Sequence, residues 1–334
     1  MRRVSPSHIA RAFYTSASTL LAEYTIANIT DGVRITMVTD NTTVARYVTV
    51  ILIGGADVEA FVNYYGAVAN SPQISDVGFT PTVVLSCGTG NSASSGAPGT
   101  YMIWNMGAAI WRPSVKQQSM HLFSRPDITT TATTTLIDNS KFTGEFTSVY
   151  GWSAYVDQFT STGMYYTYTG SPSTDAFGLL FLKIPGINVD IHSIQIPSST
   201  GEVSITNPGF KPGLLIGCMG NSSTISSGAD HMAGSFGASN GATEGVVSCY
   251  SVTGVGTSDA GGKFNTALFA HPSPSGHAYS IGQVSSLDPS GYTVNWTSVY
   301  APAINNYGYV IAFQDPDDNK KIIGNTSGKL FFKQ

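Results

Sequence analysis

The sequence predicts an all-β protein: tandem antiparallel β-sandwich domains, jelly-roll-like, built from about two and a half internal repeats. Three observations lead there. A corner motif occurs twice at one spacing, a strand motif occurs three times, and the composition suits sheets far better than helices. Only 11% of the 334 residues are charged, while 36 Gly, 17 Tyr and 16 Phe supply turns and bulk, against the ~25% charge of an average globular domain. Aromatic and β-branched residues at this density form a core, so the chain is not disordered.

The corner motif comes first. "GFTPTVVLSC" starts at Gly78 and "GFKPGLLIGC" at Gly209. Gly78, Phe79, Pro81 and Cys87 match Gly209, Phe210, Pro212 and Cys218 without a gap, each pair 131 positions apart. A fixed period dictates architecture. Proline fixes φ, lacks a donor and pushes the residue before it toward an extended backbone. It therefore belongs at the mouth of a strand, where a missing N–H is tolerable. The glycine permits the bend, the phenylalanine plugs the end of a core, and each cysteine is a small buried thiol closing the strand.

The strand motif fixes the phase. "DGVRITMVTD", "TGMYYTYTG" and "SGYTVNWTSV" open on Gly32, Gly163 and Gly291. Alternation puts Val33, Ile35 and Met37 on one face. Met164, Tyr166 and Tyr168 take the same places in the second copy, and Tyr292, Val294 and Trp296 in the third. This period of two marks a half-buried strand, and the leading glycine fits a tight turn with positive φ. Each copy is followed by a nearly continuous apolar run, "RYVTVILIGG", "FGLLFLKIPG" or "YGYVIAFQDP", as expected of a sheet centre covered on both sides.

With the corner-bearing stretch as half A and the strand-motif stretch as half B, the chain reads B (1–66), A (67–125), B (126–190), A (191–255), B (256–334). The expected organisation is a half-repeat at 1–66, a sandwich at 67–190 and a second at 191–334 that ends in a hairpin around Asn325 to Gly328. Five halves leave one unpaired. A lone half would expose an apolar face and strand edges, so the odd half is expected to pack on a neighbouring subunit or on its own chain. A homo-oligomer follows.

Chemistry is sparse. A net charge of −4 gives no reason to expect nucleic acid or a membrane surface as partner. No apolar run reaches the ~18 residues of a spanning helix. The arginine pair near the start invites a signal-peptide reading, but Tyr14, Thr15, Ser16, Ser18 and Thr19 interrupt its apolar core. Three cysteines, two at equivalent repeat positions, do not make a disulfide framework. No nucleophile elbow, phosphate loop, zinc-protease pair or C-x-x-C motif occurs, and His8, His121, His192, His231, His271 and His277 lack metal-ligand spacing. No catalytic residue and no cofactor are expected. His231, beside Asp230 in a glycine-rich loop, reads as structural. Asp315, Asp317 and Asp318 form the densest carboxylate cluster and the single weak calcium candidate, without the glycine and distal glutamate of an EF-hand. Tyr64, Tyr65, Trp104, Trp111, Trp152 and Tyr165 are the aromatics that could stack on a glycan.

"SGYTVNWT", "VARYVTVILIGGADVE" and "GFKPGLLIGCMGN" resemble motifs of tandem-repeat β-sandwich proteins from tailed bacteriophages and prophages. Those proteins alternate a "DGF-x-hydrophobic-x-W-T" strand, a "YLALGG" strand and a "GF-x-P" corner. The resemblance spans most of the chain through short motifs; the first B copy lacks the tryptophan and the second carries "FLKIPG" in place of "LALGG". It implies a virion component that contacts copies of itself and other virion proteins, and it transfers no catalytic residue. A head-decoration, tail-associated or fibre protein is the first expectation. A jelly-roll capsid shell protein is its close variant, and a carbohydrate-binding adhesin meeting a host-surface glycan comes from a different class.

Overall fold

The computed structural model describes residues 10–13, 20–29, 32–40, 51–52, 58–66, 73–92, 102–125, 132–146, 150–170, 175–225, 229–254, 260–273, 279–303, 305–316 and 331–332. Strands dominate them, with a single 3-10 turn at Ala301–Ala303. None of them forms a helix long and apolar enough to cross a membrane.

The amino-terminal segment holds β1 (Ala10–Phe13), β2 (Leu20–Ile29), β3 (Gly32–Asp40) and β4 (Ile51–Leu52). Next come β5 (Glu59–Gly66), β6 (Gln73–Ile74), β7 (Val83–Ser92), β8 (Met102–Trp111), β9 (Val115–Arg125) and β10 (Ala132–Asp138). They are followed by β11 (Thr143–Phe146), β12 (Tyr150–Thr160), β13 (Gly163–Gly170) and β14 (Asp175–Lys183). The last third contains β15 (Val189–Gln195), β16 (Gly201–Ile205), β17 (Pro212–Gly220), β18 (Ala229–Asp230), β19 (Met232–Ser239), β20 (Glu244–Ser251) and β21 (Ala260–Asn265). It ends with β22 (Phe269–Pro272), β23 (Tyr279–Asp288), β24 (Gly291–Ser298), β25 (Tyr307–Gln314) and β26 (Phe331–Phe332).

Every pairing is antiparallel, and two large sheets carry one strand order. The first runs β10-β9-β8-β7-β14-β5, with β18 added beyond β10; the second runs β21-β20-β19-β17-β25-β15. Each has a four-stranded companion, β11-β12-β13-β6 and β22-β23-β24-β16. Alternation along the strands explains the stacking. In β7, Val84 faces the first small sheet, where Phe142, Trp152, Met164, Tyr166 and Phe177 form a core. The neighbouring Val83 faces the second large sheet and joins Leu122, Ile191, Ile216 and Phe313. A third core, between the second large sheet and its companion, holds Leu215, Phe269, Tyr292, Val294 and Trp296. The layers therefore run small, large, large, small. Central strands buried on both faces need continuous apolar runs, which "FGLLFLKIPG" and "YGYVIAFQDP" supply.

One boundary differs from the sequence reading. Residues 59–66, grouped there with the opening half, hydrogen-bond along β14 from Lys183↔Glu59 to Ala176↔Gly66. They occupy the flank of β14 that β7 leaves open, and Lys183 Nζ forms an ion pair with Glu59. The first sandwich thus begins at β5.

Besides a two-stranded β26-β4 pair, one further sheet is described, β1-β2-β3. Ile26 faces Ile35 across β2 and β3, and Tyr24 faces Met37. Three apolar residues of β3 stand in the open: Ile35 is 37% exposed, Met37 44% and Val38 54%. The side chain of Val33 is outside the described residues. In the complete sandwiches Met164, Tyr166, Tyr168, Tyr292, Val294 and Trp296 are all buried. Of the expected carboxy-terminal hairpin, the turn at 325–328 lies outside the described residues, while β26 pairs with β4 through Phe331↔Leu52.

Candidate functional site

Both GF-x-P corners are built alike. Gly78 and Gly209 have left-handed backbones, φ 82° and 70°, a conformation that glycine adopts without strain. Phe79 and Phe210 are each buried in the core between the small and large sheets of their own sandwich. Pro81 is buried two residues before β7, and Pro212 opens β17 with a register shift before Leu214. Each corner is tied to the turn before the neighbouring strand motif: Val77 N donates to Thr162 O at 3.2 Å, and Gly209 N to Ser290 O at 3.0 Å.

The cysteines part company. Cys218 is buried but Cys87 is exposed, which corrects the expectation of two buried thiols. Cross-strand neighbours supply the reason. Cys218 lies opposite Tyr309 on β25, whereas Cys87 lies opposite Gly178 on β14, which has no side chain to cover it. Burial pushes the Cys218 thiol up to about 12, so it is an unreactive filler.

The glycine opening each strand motif also has a revised role. Gly32, Gly163 and Gly291 pair with Ile29, Thr160 and Asp288 at two-residue hairpin ends. Gly163 has positive φ, 152°, but Gly291 does not. What they share is close approach: a Cβ on Gly163 would collide with the Ile74 carbonyl on β6, and one on Gly291 with the Ile205 carbonyl on β16. Only an α-carbon without a Cβ lets the fourth strand of the small sheet come so near.

The carboxylate cluster is only partly described. Asp315 Oδ2 meets Lys211 Nζ at 3.2 Å and its backbone N donates to Lys211 O; Asp317 and Asp318 lie outside the described residues. Among the described residues no three His, Cys, Asp or Glu side chains converge as metal ligands. His231 has φ 72°, accepts from Thr253 N at 3.0 Å through Nδ1, and donates its own N–H to Thr133 O. It pins the β18 loop to β10 across the two sandwiches.

One constellation escaped sequence reading. Asp190 and His192 sit two residues apart on β15, hence on one face. His192 Nδ1 contacts Asp190 Oδ2 at 3.0 Å, and His192 Nε2 contacts the Tyr292 hydroxyl at 2.8 Å. Lys116 Nζ donates to Asp190 Oδ1 at 2.7 Å from the first sandwich. Burial alone would raise the Asp190 carboxyl, yet the hydrogen bonds from His192 and Lys116 hold it below its ordinary value. Burial and the Asp190 charge push the Tyr292 phenol well above its own. An Asp–His–Tyr chain has the shape of a proton relay. All three residues are buried, so its described action is to fasten three layers together. The spacing D-x-H on a strand was the only signal available.

The aromatics sort by exposure. Trp152 is buried and stacks on Tyr168 at 5.7 Å. Trp104 is half-buried, and the Tyr65 hydroxyl donates to Asp76 at 3.0 Å. Tyr64, Trp111 and Tyr165 remain exposed. Between the large sheets a cavity of about 180 Å³ is lined by Leu85, Met106, Leu180, Ile216, Phe236 and Tyr309, among others.

No family model, curated protein or solved structure matches this chain.

Proposed function

We propose that this chain is a non-enzymatic structural component of a bacteriophage virion, a head-decoration, tail-associated or fibre protein that assembles through its β-sandwich surfaces. One observation carries the reading. The β1-β2-β3 sheet presents Ile35 and Met37, which share one face of β3, to solvent, at places whose counterparts in both complete sandwiches are buried. An apolar sheet face of this kind is an interaction surface. Four stacked layers with antiparallel pairing throughout also suit a part that must resist shear and proteolysis, and the motif resemblance points the same way. The experiment is mass spectrometry of density-gradient-purified particles from a culture producing the protein. The chain should band with the particles in fixed stoichiometry; recovery solely in the soluble fraction refutes the proposal.

A second reading has its own support, the exposed Trp111 and Tyr165, since aromatic faces stack on sugars. A glycan array probed with the purified chain distinguishes the two: saturable binding that is lost in Trp111→Ala would favour an adhesin.

A further inference from the structure

The two large sheets lie back to back and present matching residues to each other. Leu85 and Leu180 are cross-strand partners on β7 and β14. Ile216 and Ile311 hold the equivalent places on β17 and β25, each 131 positions further on. Met106 lies opposite Cys87, and Phe236 opposite Cys218, so those two correspond as well. One correspondence fails. Tyr309 stands beside Cys218, but Gly178 stands beside Cys87. Tyr309 crosses from one sheet to the other, where its hydroxyl donates to the Met106 carbonyl at 3.0 Å. Gly178 sends nothing back, and the nearest atom to a Cβ placed on it is the Cys87 carbonyl oxygen at 3.6 Å. The layer has one ring where its repeat symmetry offers places for two. A cavity of about 180 Å³ remains, walled by Leu85, Leu180, Ile216, Ile311, Phe236 and Tyr309 among others.

The polar side chains around this space are already engaged. Tyr309 is bonded to Met106, and Ser86 Oγ donates to the Phe142 carbonyl on the opposite face of β7. The Cys218 thiol, pushed up to about 12 by burial, stays neutral. Among the described residues, the buried side-chain polar atoms that lack a partner belong to Gln118, Ser235, His271 and Trp296, and none of these lines the cavity. A buried water needs about two to four polar partners, whereas an apolar cavity of about 150 Å³ stays dry and takes up benzene or xenon. We infer that the space between the large sheets is a binding site for one small apolar molecule, the size of a benzene ring or a short branched alkane. Dispersion contacts with the two facing aliphatic pairs hold it, with no hydrogen bond. Cys87 follows Leu85 on the same face of β7 and is exposed, which puts the solvent boundary one cross-strand pair away and gives the guest a short way in. The inference is independent of the virion reading, which stands whether or not the cavity is filled.

Benzene is the probe, read by methyl NMR of the full chain labelled at leucine and isoleucine. The methyls of Leu85, Leu180, Ile216 and Ile311 should shift together along one saturable curve. The melting temperature should rise with benzene concentration, as it does for any ligand of the folded state alone. Phenol at the same concentrations should leave these methyls in place, because its hydroxyl would be buried without an acceptor. Leu180→Phe, which fills the cavity, should weaken benzene binding at least about tenfold. Ile216→Ala, which enlarges it, should melt below the wild type when free and gain at least as much from benzene; it carries the test if circular dichroism shows Leu180→Phe unfolded. Shifts that never saturate, shifts centred on other methyls, or an equal response to phenol overturn the inference. So does a folded Leu180→Phe that binds benzene like the wild type, or an Ile216→Ala that gains nothing from it.

Discussion

His192 and Tyr292, one hundred positions apart, share a 2.8 Å hydrogen bond across the second sandwich, and the other ring nitrogen of His192 holds Asp190. The strand β15 is thereby tied to the small sheet through Tyr292 and to the first sandwich through Lys116. Removing the Tyr292 hydroxyl leaves a buried ring nitrogen without its partner. Tyr292→Phe should cost about 1–3 kcal/mol, read as a lowered urea midpoint with an unchanged slope.

Asp190 is the heavier member of the group. Asp190→Ala strands His192 and the Lys116 ammonium together, and breaking a buried pair in this way costs about 3–5 kcal/mol. Because Lys116 is itself about half exposed, the lower end applies. Lys116→Met should cost much less than Asp190→Ala, and equal losses would argue against Asp190 as the hub.

The strand-opening glycines should be intolerant of any side chain. Gly163→Ala and Gly291→Ala both set a methyl against a carbonyl oxygen of the adjoining strand, and each should lower thermal stability by more than about 2 kcal/mol. Gly186, with φ 72° and no heavy atom near its would-be Cβ, carries only left-handed strain, so Gly186→Ala should cost about 1 kcal/mol. Melting curves of the three variants give the comparison.

Acid should weaken the fold through two histidines. Burial holds His121 down to about 4 and His271 down to about 3, both below the ordinary 6.5. The unfolded chain therefore takes up protons first as pH falls below about 6.5, and stability is lost progressively toward pH 4, with a slope of up to about 1.4 kcal/mol per pH unit for each group. Glu244 acts in the opposite sense. Burial raises its carboxyl to about 7 against hydrogen bonds from the Val284 and Leu268 amides, so it contributes most below pH 4.5 and loses that contribution as pH rises to about 7. The net expectation is stability that climbs from pH 4.5 to about 6.5 and then flattens. Glu244→Gln should steepen the climb, and His271→Asn should flatten it, both read from melting temperature against pH.

The strands were legible where one face is buried and the other wet. Met164, Tyr166 and Tyr168 alternate with polar residues, and the structure buries all three. Val84 and Val83 are both apolar and both buried, so a period of two gave no sign that they face different cores and that two large sheets lie back to back. The 59–66 strand was assigned to the wrong side of a boundary because its partner, β14, lies more than a hundred residues away. The Asp190–His192–Tyr292 chain was invisible for the same reason, since cross-sheet neighbours depend on register. The corner glycines and proline were readable because backbone chemistry alone specifies them. Cys87 was misjudged because its cover depends on whether residue 178 or 309 carries a side chain.

Methionine oxidation footprinting by mass spectrometry, run on the full chain at low and at high concentration, tests the account most directly. In dilute solution Met37 should oxidise well ahead of Met164 and Met219, both buried. At high concentration Met37 alone should gain protection as β3 finds its partner. If Met37 is as protected as Met164 when dilute, or remains as reactive when concentrated, the β1-β2-β3 sheet is not a bare face awaiting another copy.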